Sequence, residues 1–440
     1  MREEFKQLLS ESVGPEAASV VLDALEEAPA VSVRLNPAKY PATQWPGAAG
    51  QVPWNENAFF LAERPAFTLD PLLHGGAYYV QDSSAMFPGR LFREILPLVK
   101  AEGHLRILDL CAAPGGKTTD ILSSLDGLDY LLVSNEISSS RVTVLCDNVA
   151  RWGESRVSVT SADPAAFAPI EGFFDIIVAD VPCSGEGMFR KDPEALRQWS
   201  PDNVALCQAR QRRILSDVWP SLREGGILIY STCTFNHLEN DDNVRWISES
   251  LGAEVLNANL NYSGVLKTEA GFALLPGFVR GEGQYCAALR KTSATSAIKI
   301  KKNSLRPEAR NVWLDGDFTV VRKGELLCAL PQALVADAAV LERLKPLRTG
   351  TAVGTEKGKD FIPHADLALA RCLSQNAFAR YDVSLDTALA FLHKESFSAA
   401  DAPRGYLLVT YKGLPLGFVK NLGNRCNNLL PQGRRIRMDL

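Results

Sequence analysis

Between about residue 104 and residue 291 the chain alternates short apolar runs with helical segments, and few folds accommodate that pattern. The runs are RILDLC, YLLVSNE, VSVTSAD, FDIIVADVP, GILIYSTCT and YCAALRK. Apolar residues at helical spacing predict helices over Lys117–Leu125, Ser139–Trp152, Asn203–Leu222 and Glu239–Leu251. Near-continuous apolar strands separated by helices imply a mostly parallel sheet covered on both faces. Such sheets bind ligands beyond the carboxyl ends of their strands, at the topological switch point. The residues that follow each apolar run are therefore where chemistry is to be sought.

The segment LDLCAAPGGKT (108–118) follows the first run and opens the first helix. Its small residues and the Gly115-Gly116 pair let a ligand approach the backbone and offer amide donors at a helix start. It is not G-x-G-x-x-G, and no glycine stands five residues before Gly116, so it is not a phosphate loop either. A zwitterionic amino-acid head with a sulfonium cation, as in S-adenosylmethionine, suits it better, with Asp109 and Asp180 available to stabilise the cation. Glu136 ends the second run, where an acid can take ribose hydroxyls, and Asp163 ends the third, placed to meet adenine. A single acid of this kind would more simply cap the following helix. Four of them at successive strand ends favour a nucleoside-bearing cofactor.

Two further segments reach the same sheet edge. DVPCSGEG (180–187) follows the fourth run and STCTFNHLEND (231–241) the fifth, so Cys183 and Cys233 would face one cleft. Cysteine has a specific use in methylating carbon 5 of a cytosine. A thiolate adding to carbon 6 breaks the aromaticity and makes carbon 5 nucleophilic enough to attack a sulfonium methyl. Methylation of an oxygen or an exocyclic nitrogen needs no such step. Asp180 can hydrogen-bond ring nitrogen 3 and assist its protonation. The plainer reading makes both cysteines small packing residues at strand ends.

At 440 residues the chain has room for two to four domains. No apolar run reaches the roughly 18–20 residues that cross a bilayer, and MREEFKQLLSES lacks the apolar core of a secretory signal. A cytoplasmic protein with no membrane partner is expected, a monomer by default. Nine cysteines, none in a C-x-x-C pair, argue against a disulfide framework and against a zinc site, so no metal is expected. The net charge of −4 hides an uneven distribution: Arg290–Arg310 holds seven Lys/Arg against Glu308, and Arg404 to the end holds seven against Asp439. Basic stretches on an acidic body suit surfaces that contact phosphates, although a solvated linker and tail would look the same.

The rest of the chain divides by pattern. Two short helices broken at Gly14-Pro15 precede SVRLNP, a strand ended by Pro37, and residues 41–66 read as an irregular connection. Residues 292–304 read as a linker, 310–345 as a short β segment followed by a helical stretch Pro331–Leu344, and GYLLVTYKGLPLGFVKN as two strands joined at Lys412-Gly413. The expected units are an N-terminal helical module (1–85), a methyltransferase domain (86–292), a basic linker (293–306), a small α+β subdomain (307–375) and a β-rich C-terminal unit (376–440).

In combination and order, LDLCAAPGGKT, NEI, DVPCSGEGMFRKDP and STCT resemble the Nop/Sun family of RNA cytosine-5 methyltransferases. YYVQDSSAMFP (78–88) and SVRLNP (32–37) are similar to family segments ahead of the catalytic domain. GFVKNLGNRCNNLLPQGRRIR is similar to the PUA-like RNA-binding domain of F-type members, which act on small-subunit ribosomal RNA. The resemblance implies a Rossmann-like class I methyltransferase domain flanked by RNA-binding modules. It implies that Cys111, Ala112, Ala113, Pro114, Gly115, Gly116 and Lys117, with Glu136, Asp163 and Asp180, bind S-adenosylmethionine. Cys233 would attack the base, while Cys183, after Pro182, would assist product release. Ribosomal RNA of the small subunit, free or in an assembly intermediate, is the implied partner, with transfer RNA the sister-family alternative. Candidate RNA contacts are Arg190, Lys191, Lys420, Arg425, Arg434, Arg435 and Arg437. DNA cytosine-5 methyltransferases attack with the Pro-Cys cysteine and carry a different first motif. A non-catalytic assembly factor would be expected to have lost the nucleophile or the cofactor loop, and both stand here.

Overall fold

The computed structural model describes residues 1–41, 43–101, 103–300, 313–358 and 360–438. Its centre is a sheet formed by the apolar runs: β1 (Leu105–Asp109), β2 (Tyr130–Asn135), β3 (Val157–Thr160), β4 (Phe174–Asp180), β5 (Leu222–Thr232) and β6 (Gln284–Lys291). The spatial order is β6-β5-β4-β1-β2-β3. β1 to β5 pair in parallel and β6 runs antiparallel to β5. Helices α1 (Gly116–Ser124), α2 (Ser139–Trp152), α3 (Pro201–Val218) and α4 (Asp241–Leu251) connect the strands. Buried apolar residues form clusters on both sheet faces, with Leu108, Val133 and Ile177 on one and Ile107, Leu132 and Ile176 on the other. From β1 the chain steps outward to β2 and β3, then crosses back to β4 and β5. The switch point therefore lies between β1 and β4, where the loop 110–115 emerges.

The predicted helix over Asn203–Leu222 begins at Pro201 instead, because Ser200 caps it, its hydroxyl accepting from the Asn203 amide. It stops at Val218 before Trp219-Pro220, and Leu222 already belongs to β5. Glu239 precedes α4 rather than opening it. Residues 41–66 are not merely irregular: Ala48–Gln51 and Ala58–Leu61 join Ser32–Leu35 and Tyr78–Val80 in a four-stranded sheet, so the N-terminal module is not only helical. Gly47 and Gly50 interrupt the apolar pattern at the first of these strands, and four residues are too few for alternation to show in either.

Beyond β6, Phe318–Lys323, Leu326–Pro331, Thr351–Lys357 and Asp360–Pro363 make an antiparallel sheet. Arg348–Thr349 leaves it to pair with the free edge of β3. Gly405–Tyr411 and Leu414–Asn421 form the hairpin turned at Lys412-Gly413, flanked by Ala379–Asp382 and Cys426–Asn428. The basic stretch from Lys301 to Arg310 lies outside the described residues. No helix among those described is long and apolar enough to cross a membrane.

Candidate active site

The loop after β1 is pinned from behind by α2. The Asn148 side chain donates to the Pro114 carbonyl (2.8 Å) and Arg141 to that of Ala113 (2.5 Å). The Ala112 amide bonds to Asn135 (2.8 Å) and the Gly115 amide to Ala112 (2.8 Å). Gly115 adopts φ +110°, a conformation that favours glycine, and an added Cβ would stand 3.3 Å from Leu145. Arg34, fully buried, reaches this loop from the N-terminal module. Its guanidinium donates to the Gln81 side chain, the Gly116 carbonyl (2.9 Å) and the Thr119 hydroxyl (2.6 Å).

The acids around the loop differ in their surroundings. Asp109 is buried, accepts from the Thr118 hydroxyl (2.6 Å) and leaves Oδ1 without a partner. Burial pushes its pKa up to about 7, so a cation seated beside it would be stabilised by its charged form. Glu136 is almost buried, accepting from the Ser138 amide (2.9 Å) and lying 3.3 Å from Arg141. Asp163 is half-exposed and caps the short helical turn Pro164–Phe167 through the Ala165 amide. An unpartnered carboxylate oxygen in a glycine-lined cradle, with acids at three neighbouring strand ends, is a donor set that fits S-adenosylmethionine.

Asp180, at the end of β4, is held by three donors: the Lys117 ammonium (2.8 Å), the Ser231 hydroxyl (2.8 Å) and the Gln284 amide (3.1 Å). Burial opposes the charge on Lys117, but the Asp180 carboxylate outweighs it and raises the lysine pKa above its usual value. The next strand ends bring the two cysteines together, with the sulfurs of Cys183 and Cys233 3.1 Å apart. The contact with Cys233, with burial, pushes the Cys183 thiol well up.

Two carboxylates absent from the sequence reading stitch these loops. Glu186 accepts from the Trp199 indole (2.9 Å), the amides of Phe235 (2.6 Å) and Asn236 (3.1 Å), and the Asn236 side chain (2.9 Å). Glu239 accepts from the Ser184 amide (3.1 Å), Gln211 (2.6 Å) and Asn236 (2.9 Å). The Gln211 side chain also donates to the Pro182 carbonyl (3.0 Å). The Gly187 amide donates to the Cys233 carbonyl (2.8 Å), and a Cβ at Gly187 would stand 2.8 Å from that oxygen. Close approach of the two loops requires glycine there. Acids three residues after Cys183 and six after Cys233, inside the same two polar segments, were a signal that could have singled out both glutamates.

The candidate RNA contacts separate into two groups. Lys420, Arg425, Arg435 and Arg437 are at least partly open to solvent, and Lys191 is partly exposed beside Asp82 (3.4 Å). Arg190 and Arg434 are mostly covered instead. Arg190 is buried against Glu282 (2.7 Å) and two carbonyls, and Arg434 bridges Asp147 (2.8 Å) and Asp366 (2.6 Å). Their charges are consumed inside the protein.

Comparison with known proteins places this geometry. A family model described as 16S rRNA methyltransferase RsmB/F matches residues 96–290. Models of the N-terminal domain of 16S rRNA methyltransferase RsmF and of the methyltransferase RsmF PUA domain match 1–83 and 378–436. Ribosomal RNA small subunit methyltransferase F of Escherichia coli O157:H7 is 30% identical over 460 residues, covering 97% of this chain and 92% of that one. The same-named protein of Escherichia coli O139:H28 is 32% identical over 87% of this chain and 84% of its own. Among solved structures, a methyltransferase homolog protein from Pyrococcus horikoshii aligns at TM-score 0.56 with 24% identity, covering 66% of this chain and 95% of that one. NSun6 from the same organism, crystallised with SFG, aligns at TM-score 0.55 with 18% identity over 66% of this chain and 98% of its own. These structures share the Rossmann-like fold. With 30% identity across nearly its whole length and three domain models in register, the chain belongs to the ribosomal RNA small subunit methyltransferase F family and is an S-adenosylmethionine-dependent methyltransferase.

Proposed function

We propose that this enzyme methylates carbon 5 of a cytosine in small-subunit ribosomal RNA, with Cys233 as nucleophile and Cys183 acting in release. The observation that carries the reading is the 3.1 Å approach of the two sulfurs beside the Lys117–Asp180 pair. The target cytosine must leave its stack to reach a cleft at the strand ends. Asp180 then holds the nitrogen 3 edge, with the Lys117 ammonium next to it as a proton source. The Cys233 thiolate forms a bond to carbon 6 while nitrogen 3 gains a proton, leaving carbon 5 enamine-like. Cys111–Lys117 with Asp109, Glu136 and Asp163 would hold S-adenosylmethionine, which would supply the methyl group at its sulfonium. Loss of the carbon 5 proton to water, return of the nitrogen 3 proton to the Lys117–Asp180 pair and expulsion of the Cys233 thiolate restore the ring. The raised pKa of Cys183 keeps it a thiol, suited to handing a proton to the departing sulfur. Lys191, Lys420, Arg425, Arg435 and Arg437 contact the RNA backbone, and the enzyme acts as a monomer.

Incubation of wild type, Cys233→Ala and Cys183→Ala with labelled S-adenosylmethionine and ribosomal RNA, followed by denaturing gels and mapping of 5-methylcytosine, tests the roles. Cys233→Ala should give neither product nor adduct, and Cys183→Ala should accumulate a covalent RNA complex. Full activity in Cys233→Ala would transfer the nucleophile's role to Cys183.

A further inference from the structure

We infer that Arg34, carried by the N-terminal module, is a positioning residue for the S-adenosylmethionine site of the methyltransferase domain. The inference rests on the loop after β1 as that site and adds to it a residue from outside the domain. Arg34 lies on Ser32–Leu35, a strand paired on both sides, where it stands opposite Ala58 and Tyr79. A strand inside a sheet fixes the origin of a side chain more closely than a loop does. From there the guanidinium spans two helices. Its Nη2 donates to the Gly116 carbonyl (2.9 Å) and the Thr119 hydroxyl (2.6 Å), both in the first turn of α1. Its Nε donates to the Gln81 side chain (3.0 Å), which sets the plane of the group. That plane lies 4.9 Å from the centre of the Trp152 ring, the last residue of α2.

The cofactor loop hangs between these two helices. α2 holds its first half, through Arg141 to Ala113 and Asn148 to Pro114. Arg34 holds the other end, where the loop turns into α1. The Thr119 hydroxyl that accepts from Arg34 donates in turn to the Gly115 carbonyl (2.8 Å), so the bonds run from the N-terminal strand into the glycine pair. The neighbouring Thr118 bonds to Asp109, the acid with a free oxygen in the cradle.

The charge of Arg34 has a separate use. Asp120 stands 3.8 Å away and also accepts from Arg93 (3.2 Å) and Asn55 (3.1 Å). An ammonium could pair with Asp120 as well. It could not donate in one plane to Gln81, Gly116 and Thr119 while stacking on Trp152, which a guanidinium does. Replacement by lysine therefore keeps the charge and removes the grip on the loop.

The test compares Arg34→Lys with Arg93→Ala in the full chain. Arg93→Ala removes bonds to Asp120 (3.2 Å), the Ser124 hydroxyl (3.2 Å) and the Trp54 carbonyl (3.0 Å), all away from the loop. Both variants should lose stability in urea, which makes Arg93→Ala the control for a merely structural loss. In calorimetric titration with S-adenosylhomocysteine, Arg34→Lys should bind roughly tenfold more weakly, the worth of one charge-assisted hydrogen bond. Arg93→Ala should stay within about twofold of wild type. In turnover on ribosomal RNA, Arg34→Lys should raise the KM for S-adenosylmethionine and leave kcat within about twofold, because Lys117 keeps its own tie to Asp180 (2.8 Å). Wild-type affinity in Arg34→Lys, an equal loss in Arg93→Ala, or a fall in kcat with affinity intact would each overturn the inference. If Arg34→Lys does not fold, Gln81→Met takes its place, since it frees the guanidinium to turn. A loss of about threefold is then expected, and wild-type affinity overturns the inference equally. The titration needs no RNA. A wild type that bound no S-adenosylhomocysteine would sink the cofactor-site reading and the inference with it, whereas methylation at another position of the base would sink the proposed function alone.

Discussion

The cysteine loops and the junction that holds the C-terminal units are both built on buried carboxylates, but they handle the charge differently. Glu186 and Glu239 meet only neutral donors: amides, an indole and side-chain carboxamides. Asp366 lies between the guanidinium groups of Arg348 and Arg434, and Arg434 continues to Asp147 on α2. Neutral hydrogen bonds have preferred directions and hold a loop at a set distance, as the 3.1 Å approach of the two sulfurs requires. Ion pairs tolerate more geometry and hold separate units together through charge. The loops are built for precision and the junction for adhesion.

The largest expected effect comes from breaking the first arrangement. Glu186→Ala leaves the Trp199 indole and the Phe235 and Asn236 amides without their acceptor. Each buried donor left unsatisfied costs ~1–3 kcal/mol, so urea denaturation should show a loss of about 3–5 kcal/mol. Single-turnover methyl transfer should fall at least about 100-fold, since a displacement near 1 Å at reacting atoms costs that much. S-adenosylmethionine affinity should stay near wild type, because none of these groups touches the loop after β1. Retained turnover in a folded variant would mean the cysteine geometry does not depend on Glu186.

The next test sets the two carboxylates against each other by pH. Despite burial, Arg348 and Arg434 hold the Asp366 carboxyl well below its usual range. A depressed folded-state pKa gives stability that is complete above the unfolded value near ~3.9 and is lost as pH falls below it. Burial instead raises the Glu239 pKa above its usual value. Its unfolded form releases its proton first as pH rises past ~4.5, so this group lowers stability with rising pH. The stability gap between wild type and Asp366→Asn should therefore be flat from about pH 8 to 5 and shrink below about 4. Wild type relative to Glu239→Gln should lose stability as pH rises from about 4.5. Parallel pH curves for the two variants would erase the distinction between the two regions.

How much of this could be read from the sequence follows the same division. The loop after β1, the acids at strand ends and both cysteines follow apolar runs, so a local pattern locates them. The Lys412-Gly413 hairpin was legible for the same reason, and α2 ends where its periodicity does. The buried partners were not. Arg34 meets Gly116 across 82 positions, and Arg434 meets Asp147 across 287. Contacts at that separation leave no local signature, and a buried paired arginine reads in sequence like a solvated one. The strands at Ala48–Gln51 and Ala58–Leu61 are too short for alternation to reveal them, the first broken by Gly50 and the second apolar throughout.

The smallest expected effect lies in the tail, where neighbouring arginines divide between the two uses. Arg434 is mostly covered in the junction, while Arg435 and Arg437 are exposed. Arg434→Ala should destabilise by about 3 kcal/mol, because it removes one of the two guanidinium groups on buried Asp366 and frees Asp147. Arg435→Ala/Arg437→Ala should change stability by no more than about 0.5 kcal/mol, as exposed substitutions usually do. Its effect should appear instead as a roughly two- to threefold weaker hold on ribosomal RNA that fades at high salt, where screening removes the contribution of exposed charges. Thermal melts beside RNA titrations at two salt concentrations separate the cases. If Arg435→Ala/Arg437→Ala melted as early as Arg434→Ala, the tail would hold the junction as a whole, and the single buried arginine would lose its distinct role.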